Sequence, residues 1–152
     1  MIVNYFNAET QSSRSFAKKT TEMNDLRLNE ISREIIGAAI EVHKTLGRGL
    51  LESVYQNCLF LELKERGLNF TAQAVIQINY KGTLIQKDFV LDFLVEDQIV
   101  VELKSVETVL SIHEAQLLTY LKLADKPLGL LINFNVPKLT DGITRRVNNF
   151  KE

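Results

Sequence analysis

The sequence predicts an α+β domain, an α/β sandwich in which helices flank one mixed sheet. Apolar residues first recur at helical spacing, then alternate with a period of two, and return to helical spacing before a final apolar run. The resulting order, α-α-β-β-β-α-β, predicts a four-stranded sheet with helices on its faces. A chain of 152 residues, 45% of them hydrophobic, is long enough to bury one such core.

Two helices open the predicted domain. In the first, from Leu28 to Leu46, apolar residues lie three and four positions apart, and Gly47 and Gly49 end the pattern. The second runs from 51 to 66 and stops at a glycine. The residues expected to face the core are Ile31, Ile35, Ala38, Ala39, Val42 and Leu46 in the first helix, and Leu51, Val54, Tyr55, Cys58 and either Leu59 or Leu61 in the second.

Three strands are predicted to follow as a meander. Residues 75–80 alternate between apolar and polar, Lys81-Gly82 marks a turn, and a long second strand extends through Val95. The third strand, 99–104, begins with the run IVV, which favours burial on both faces.

A third helix and a fourth strand complete the predicted sheet. Residues 111–124 return to helical spacing, and residues 128–134 form an apolar strand. A helix between the third and fourth strands permits a parallel crossover. After a turn at Asp141-Gly142 we expect only a short polar end. The residues expected to face inward in the third helix are Ala115, Leu118 and Leu121.

Composition limits the possible classes of protein. Residues 1–24 are rich in Ser, Thr, Asn and Lys and predict a flexible tail, which leaves 25–150 as a single domain. A net charge of −1 provides no large basic field, so any nucleic-acid binding must be local. One cysteine excludes a disulfide framework, and no apolar run is long enough to cross a bilayer. We therefore expect a cytoplasmic protein with no membrane partner.

Three charged residues interrupt the second and third predicted strands. Glu102 and Lys104 lie two positions apart and so project from the same face of a strand. If Val95 pairs with Ile99 across the turn, Asp92 lies directly opposite Glu102, with Cβ atoms about 4.5–5.5 Å apart. A register shifted by one residue would place the two carboxylates on opposite faces.

Two interpretations of this group are open. Opposed carboxylates repel each other unless a cation neutralises them, and Mg²⁺ commonly binds one or two carboxylates with water and phosphate oxygens. With Lys104 beside bound water, Asp92 and Glu102 would form a minimal phosphodiesterase site. The alternative is a Glu102–Lys104 ion pair at a strand end and a solvated Asp92, since Glu and Lys are common residues.

Further polar residues occur at positions that reach the same region. Gln116 and Tyr120 share one face of the third helix, where they suit either phosphate binding or a partly exposed helix face. Glu52 opens the second helix and either interacts with the helix dipole or supplies a third carboxylate. His43 and His113 lie in helical patterns typical of surface or packing histidines.

The segments GRGLLESVY (47–55), VLDFLVEDQIVVELKSVE (90–107) and AQLLTYLKLA (115–124) resemble the GxxExxY family, which is grouped with the PD-(D/E)XK nuclease superfamily. The resemblance covers 26–148 and implies a restriction-endonuclease-like α-β-β-β-α-β core. It implies that Asp92, Glu102 and the Leu103 carbonyl bind a metal ion, that Lys104 assists the attacking water, and that Glu52 is an auxiliary acid. Gln116 and Tyr120 match the Q-x-x-x-Y motif of helicase-associated exonuclease domains.

The functional expectation is a nuclease that depends on Mg²⁺, or on Mn²⁺, and hydrolyses phosphodiester bonds of DNA. The alternative is a catalytically inactive module of the same fold that binds nucleic acid or a protein partner. A domain this small and this weakly charged has little surface for binding substrate. A homodimer would supply more.

Overall fold

The computed structural model describes residues 3–148 and contains the predicted elements in the predicted order, with one strand added. The bounds are α1 Val3–Leu46, α2 Glu52–Glu65, β1 Phe70–Tyr80, β2 Thr83–Val95, β3 Ile99–Lys104, α3 Ser111–Ala124, β4 Leu128–Asn133, a 3-10 turn at Leu139–Gly142 and β5 Ile143–Val147. The restriction-endonuclease-like α+β architecture is therefore confirmed.

The strands form one mixed sheet in the order β1-β2-β3-β4-β5. Neighbouring strands are antiparallel except β3 and β4, which are parallel and are connected through α3. The prediction of four strands is wrong by one, because Ile143–Val147 pairs with β4 where a polar end was expected. Every residue of β4 is buried, so its second edge needs a partner strand to satisfy its backbone groups.

Two apolar clusters lie on the two faces of the sheet. The first packs α1 and α2 against one face, and the second packs α3 against the other. Ile35, Ala38 and Ala39 are fully buried in the first cluster, and Leu117 and Leu121 anchor the second. The predicted inward face of α1 is confirmed.

The predicted inward faces of α2 and α3 are only partly correct. In α2 the buried residues are Tyr55, Leu59 and Leu63, whereas Leu51 is 75% exposed because it precedes the first turn of the helix. These three residues lie four positions apart and so share one face of the helix. Val54 and Leu61 lie off that face and are exposed. In α3, Leu117 is buried in place of Ala115.

Helix α1 begins well before the predicted first helix. It includes residues 3–24, which the sequence analysis treats as a tail, and the side chains of 12–27 are exposed. The boundary of the packed domain near 25 stays a prediction. Within 3–148, no helix combines the length and apolar character required to cross a bilayer.

The alternation of buried side chains changes phase in the middle of β1 and β2. Ala72 packs against the first cluster and Ala74 belongs to the second, and on β2 Leu91 belongs to the second cluster and Phe93 to the first. Between the two alanines, Gln73 adopts a left-handed backbone conformation with φ +52°. Beyond Asp92, the side chains of the hairpin that would face one side of the sheet therefore face the other.

Close packing of α3 on β4 depends on the absence of a side chain at Gly129. A Cβ atom at this position would lie 2.8 Å from Leu117 Cδ1. We expect Gly129→Ala to lower the free energy of unfolding by about 1–3 kcal/mol, as overpacking of cores does. Urea unfolding measures the loss. Adding Leu117→Val should recover part of it, and additive losses would contradict this packing.

Candidate metal centre

Asp92 and Glu102 meet where the pairing of β2 with β3 ends. Val95 pairs with Ile99 and Phe93 with Val101, so the register required to bring the carboxylates together is present. At the next position side chains replace backbone carbonyls as acceptors. The Asp92 N–H donates to Glu102 Oε1 at 3.1 Å, and the Leu103 N–H donates to Asp92 Oδ2 at 2.7 Å.

Each of the two carboxylates keeps one oxygen available. No hydrogen bond among residues 3–148 uses Asp92 Oδ1 or Glu102 Oε2. In the same part of the chain, no solvent-inaccessible side-chain oxygen or nitrogen lacks a partner. Both oxygens are therefore at least partly accessible to solvent.

Burial makes both carboxyl groups hard to ionise, and the charge of Asp92 adds to this effect at Glu102. Burial and then the charge of Asp92 raise the pKa of Glu102 to about 8, although the Asp92 N–H and Lys104 act in the opposite direction. Burial also raises the pKa of Asp92, against the Leu103 N–H and Lys104. A bound cation would favour the ionised form of both groups.

Glu52, the first residue of α2, lies within electrostatic range of the same group. Burial raises its pKa, Lys104 lowers it, Asp92 raises it and His113 lowers it. Glu52 is thus placed near the two carboxylates and near Lys104. This placement favours a third acid at the site over an isolated charge that interacts only with the helix dipole.

The loop before α2 is held by the side chains of Tyr55 and Ser105. The Tyr55 hydroxyl donates to the Gly47 carbonyl at 2.7 Å and accepts from the Leu50 N–H at 3.2 Å. The Ser105 hydroxyl, next to Lys104, donates to the Leu50 carbonyl at 2.6 Å. These bonds tie the start of α2, and therefore Glu52, to the end of β3.

A buried asparagine holds the chain that leaves β3. Asn133 is 2% exposed, and its side chain accepts from the N–H of Val106 at 3.1 Å and donates to the carbonyl of Val106 at 2.9 Å. The Phe134 N–H adds a bond to the Lys104 carbonyl at 2.9 Å. This role is not evident from the sequence, because Asn133 lies within the apolar run LLINF.

Helix α3 brings one of its two predicted site residues close to the acids. The pKa of Tyr120 is raised by burial and then by the charges of Glu102 and Asp92. Gln116 is exposed one turn earlier, and none of the hydrogen bonds described for 3–148 involves it. The Leu103 side chain is fully buried, and its carbonyl as a metal ligand stays a prediction.

His113 is a site neighbour that the sequence analysis assigned to surface or packing. Its Nδ1 accepts a hydrogen bond from the Leu110 N–H at 3.1 Å, so the neutral ring carries its hydrogen on Nε2. It is close enough to Glu52 to lower that pKa. His43 does have a packing role, since its Nε2 lies 2.9 Å from the Val136 carbonyl oxygen.

The donor set suits a hard, hydrated cation. Among residues 3–148, no three or more His, Cys, Asp and Glu side chains converge as ligands. Two carboxylates, with a carbonyl and water completing the shell, match the binding preferences of Mg²⁺, whereas structural zinc sites use four Cys or His ligands. Asp92 and Glu102 fit such an ion.

Comparison with known proteins identifies one family. The family described as the PD-(D/E)XK nuclease superfamily matches residues 29–147. None of the curated proteins compared with this chain matches it. The crystal structure of SSO0001 is similar, with a TM-score of 0.46 and 22% sequence identity over 66% of this chain and 52% of that chain. This chain thus spans about half the length of that protein.

The raised pKa of Glu102 makes stability without metal dependent on pH. Between the ordinary value of 4.5 and about 8, the folded protein holds a proton that the unfolded chain releases. The free energy of unfolding should therefore fall as the pH rises through this window, by a few kcal/mol at about 1.4 kcal/mol per unit. Urea unfolding in EDTA measures this fall.

Glu102→Gln should flatten the pH profile, and Glu107→Gln, at an exposed position, should not change it. Addition of Mg²⁺ at pH 8 should restore stability to the parent protein. If Mg²⁺ raised the free energy of unfolding equally in the parent and in Glu102→Gln, the assignment of Glu102 as a metal ligand would be contradicted.

The hydroxyl of Tyr55 should stabilise the loop it bonds. Tyr55→Phe keeps the ring that stacks on Phe134 at 4.4 Å but removes both hydrogen bonds to the loop. We expect a loss of about 1–3 kcal/mol in the free energy of unfolding, and faster amide exchange at Leu50. Tyr80→Phe is the matched control, since Tyr80 is 61% exposed. Unchanged exchange at Leu50 would contradict this role.

Proposed function

Because this chain belongs to the PD-(D/E)XK nuclease superfamily, we propose that it is a metal-dependent nuclease that hydrolyses phosphodiester bonds of DNA, with Mg²⁺ or Mn²⁺ as the ion. The observation that carries the proposal is a pair of hydrogen bonds, from the Asp92 N–H to the Glu102 carboxylate and from the Leu103 N–H to the Asp92 carboxylate. It holds two carboxylates side by side while one oxygen of each contacts solvent.

In this proposal Asp92, Glu102 and the Leu103 carbonyl hold the ion. When bound, a divalent ion lowers the pKa of coordinated water and offsets charge on the phosphate oxygens. The hydrogen bonds from the Asp92 and Leu103 N–H groups fix both carboxylates, so little reorganisation accompanies binding. This preorganisation is the contribution of the β2–β3 junction.

Lys104 is the proposed partner of the attacking water. No ion pair within residues 3–148 occupies its ammonium group, which leaves it available to hold water and to offset charge on the phosphorane. The opposite charge of Glu52 acts on this ammonium group from the start of α2. The Tyr120 hydroxyl and the exposed Gln116 amide bind phosphate oxygens along α3.

The proposal includes a partner and a location. The single cysteine suits a cytoplasmic protein. Because the net charge is −1, contacts with DNA phosphates would have to be concentrated at the site. A homodimer would add to those contacts. The inactive nuclease-fold module is the alternative, and it shares the fold but lacks metal-dependent cleavage.

The test is cleavage of DNA and RNA panels with and without divalent ions. We expect cleavage in Mg²⁺ or Mn²⁺ and a fall of about 10²- to 10³-fold in Lys104→Ala and in Glu102→Ala, as for loss of one transition-state-stabilising group. Lys44→Ala, at an exposed position on α1, is the matched control and should keep full activity. Equal activity in all three variants would indicate a contaminant.

Metal binding is measured separately by thermal unfolding. An ion at 100 times its Kd stabilises the folded state by about 2.7 kcal/mol, and Glu102→Ala should abolish the shift. No shift at millimolar Mg²⁺ or Mn²⁺, together with no cleavage, would favour the inactive module.

A further inference from the structure

An aromatic pair borders the candidate metal centre on the side of α3. Phe89 lies on β2 three residues before Asp92, and its ring centroid is 5.6 Å from that of Tyr120 at an interplanar angle of 53°. The charges of Glu102 and Asp92 act on the Tyr120 hydroxyl. The two rings form one aromatic surface, the Phe89–Tyr120 wall, between α3 and the segment of β2 that precedes Asp92.

The Phe89 ring is only partly used in packing. Its partner in the β1–β2 ladder, Ile76, is 8% exposed and belongs to the second apolar cluster, whereas Phe89 is itself 37% exposed. Packing on Tyr120 covers one part of the ring and leaves the rest in solvent. An exposed phenylalanine is ordinary by itself, so its position beside the acids is what matters.

We propose that the Phe89–Tyr120 wall stacks on an unpaired base next to the scissile phosphate, so that the site takes a single-stranded segment of nucleic acid. This inference rests on the proposed nuclease function. Inside a duplex both faces of each base are covered by neighbouring base pairs, and no face is left for a side chain. An unpaired base has a free face for an aromatic ring, whatever its sequence.

The outer hairpin supplies charge for the same strand. Lys87 on β2 and Lys81 at the turn are exposed, and the Lys81 ammonium lies 5.4 Å from the centre of the Tyr80 ring. Asp88 follows Lys87, so the hairpin segment 80–90 keeps a net charge of +1. A single strand bound along this hairpin would place phosphates near the two lysines and a base on Phe89.

The test is a binding titration in Ca²⁺, with a fluorescent oligonucleotide checked for integrity after each run. The substrates are a single strand, the same strand with one abasic position, and a covalently closed duplex. Phe89→Leu keeps an apolar side chain without the ring, and Val90→Ala, at the 45% exposed next residue, is the matched control. Thermal unfolding of each variant verifies folding, and Phe89→Trp restores a ring.

We expect Phe89→Leu to weaken single-strand binding by about 5- to 150-fold, the range for loss of one stacked base. Phe89→Trp and Val90→Ala should bind like the parent. One abasic position should remove the difference between Phe89→Leu and the parent. An equal loss on the closed duplex, or no loss on the single strand, would overturn the proposal.

The failure of this inference can be told from failure of the nuclease proposal. If the parent protein cleaves DNA but Phe89→Leu binds single strands normally, the stacking surface is wrong and the nuclease stands. If the parent cleaves nothing but Phe89→Leu loses single-strand binding, the surface stands and the catalytic proposal is wrong.

Discussion

The site depends on a change in the kind of hydrogen-bond acceptor at the junction of β2 and β3. Between β2 and β3, carboxylate oxygens of Asp92 and Glu102 take the places that backbone carbonyls fill elsewhere in the ladder. The N–H groups at the junction stay satisfied, so the two strands separate without leaving a buried donor unpaired. The other two carboxylate oxygens stay accessible to solvent.

This arrangement is unfavourable for folding taken alone, and other parts of the fold offset it. Burial and repulsion disfavour the ionised acids, as the pKa of Glu102 shows. Tyr55 holds the loop before α2 and Asn133 holds the segment after Lys104, and each uses hydrogen bonds to backbone atoms. Neither residue contacts the carboxylates. The geometry of the site is therefore maintained by groups that take no part in its chemistry.

Periodicity and register were sufficient to predict most of the fold and the central pair of acids. The turn between Val95 and Ile99 fixes which residues oppose one another, so a local feature determined a contact across strands. β5 was missed because ITRRV is short and half exposed, and its two adjacent arginines break the alternation of apolar and polar residues. The helical state of residues 3–24 was missed because that segment has no apolar face to reveal it.

Other parts of the site were beyond sequence reasoning. His113 and Asn133 act through long-range contacts, and neither has a neighbour in sequence that indicates a partner. The phase change at Gln73 requires a left-handed backbone at a residue that carries a side chain, which no pattern of hydrophobicity specifies.

Helix α1 has two mechanically different halves. From Leu28 onward it packs against the sheet, while the side chains of 12–27 are exposed. At about 1.5 Å per residue, that exposed segment is about 24 Å long. A protein domain joined to the N-terminal end of α1 would therefore be separated from the packed part of the helix by at least this length.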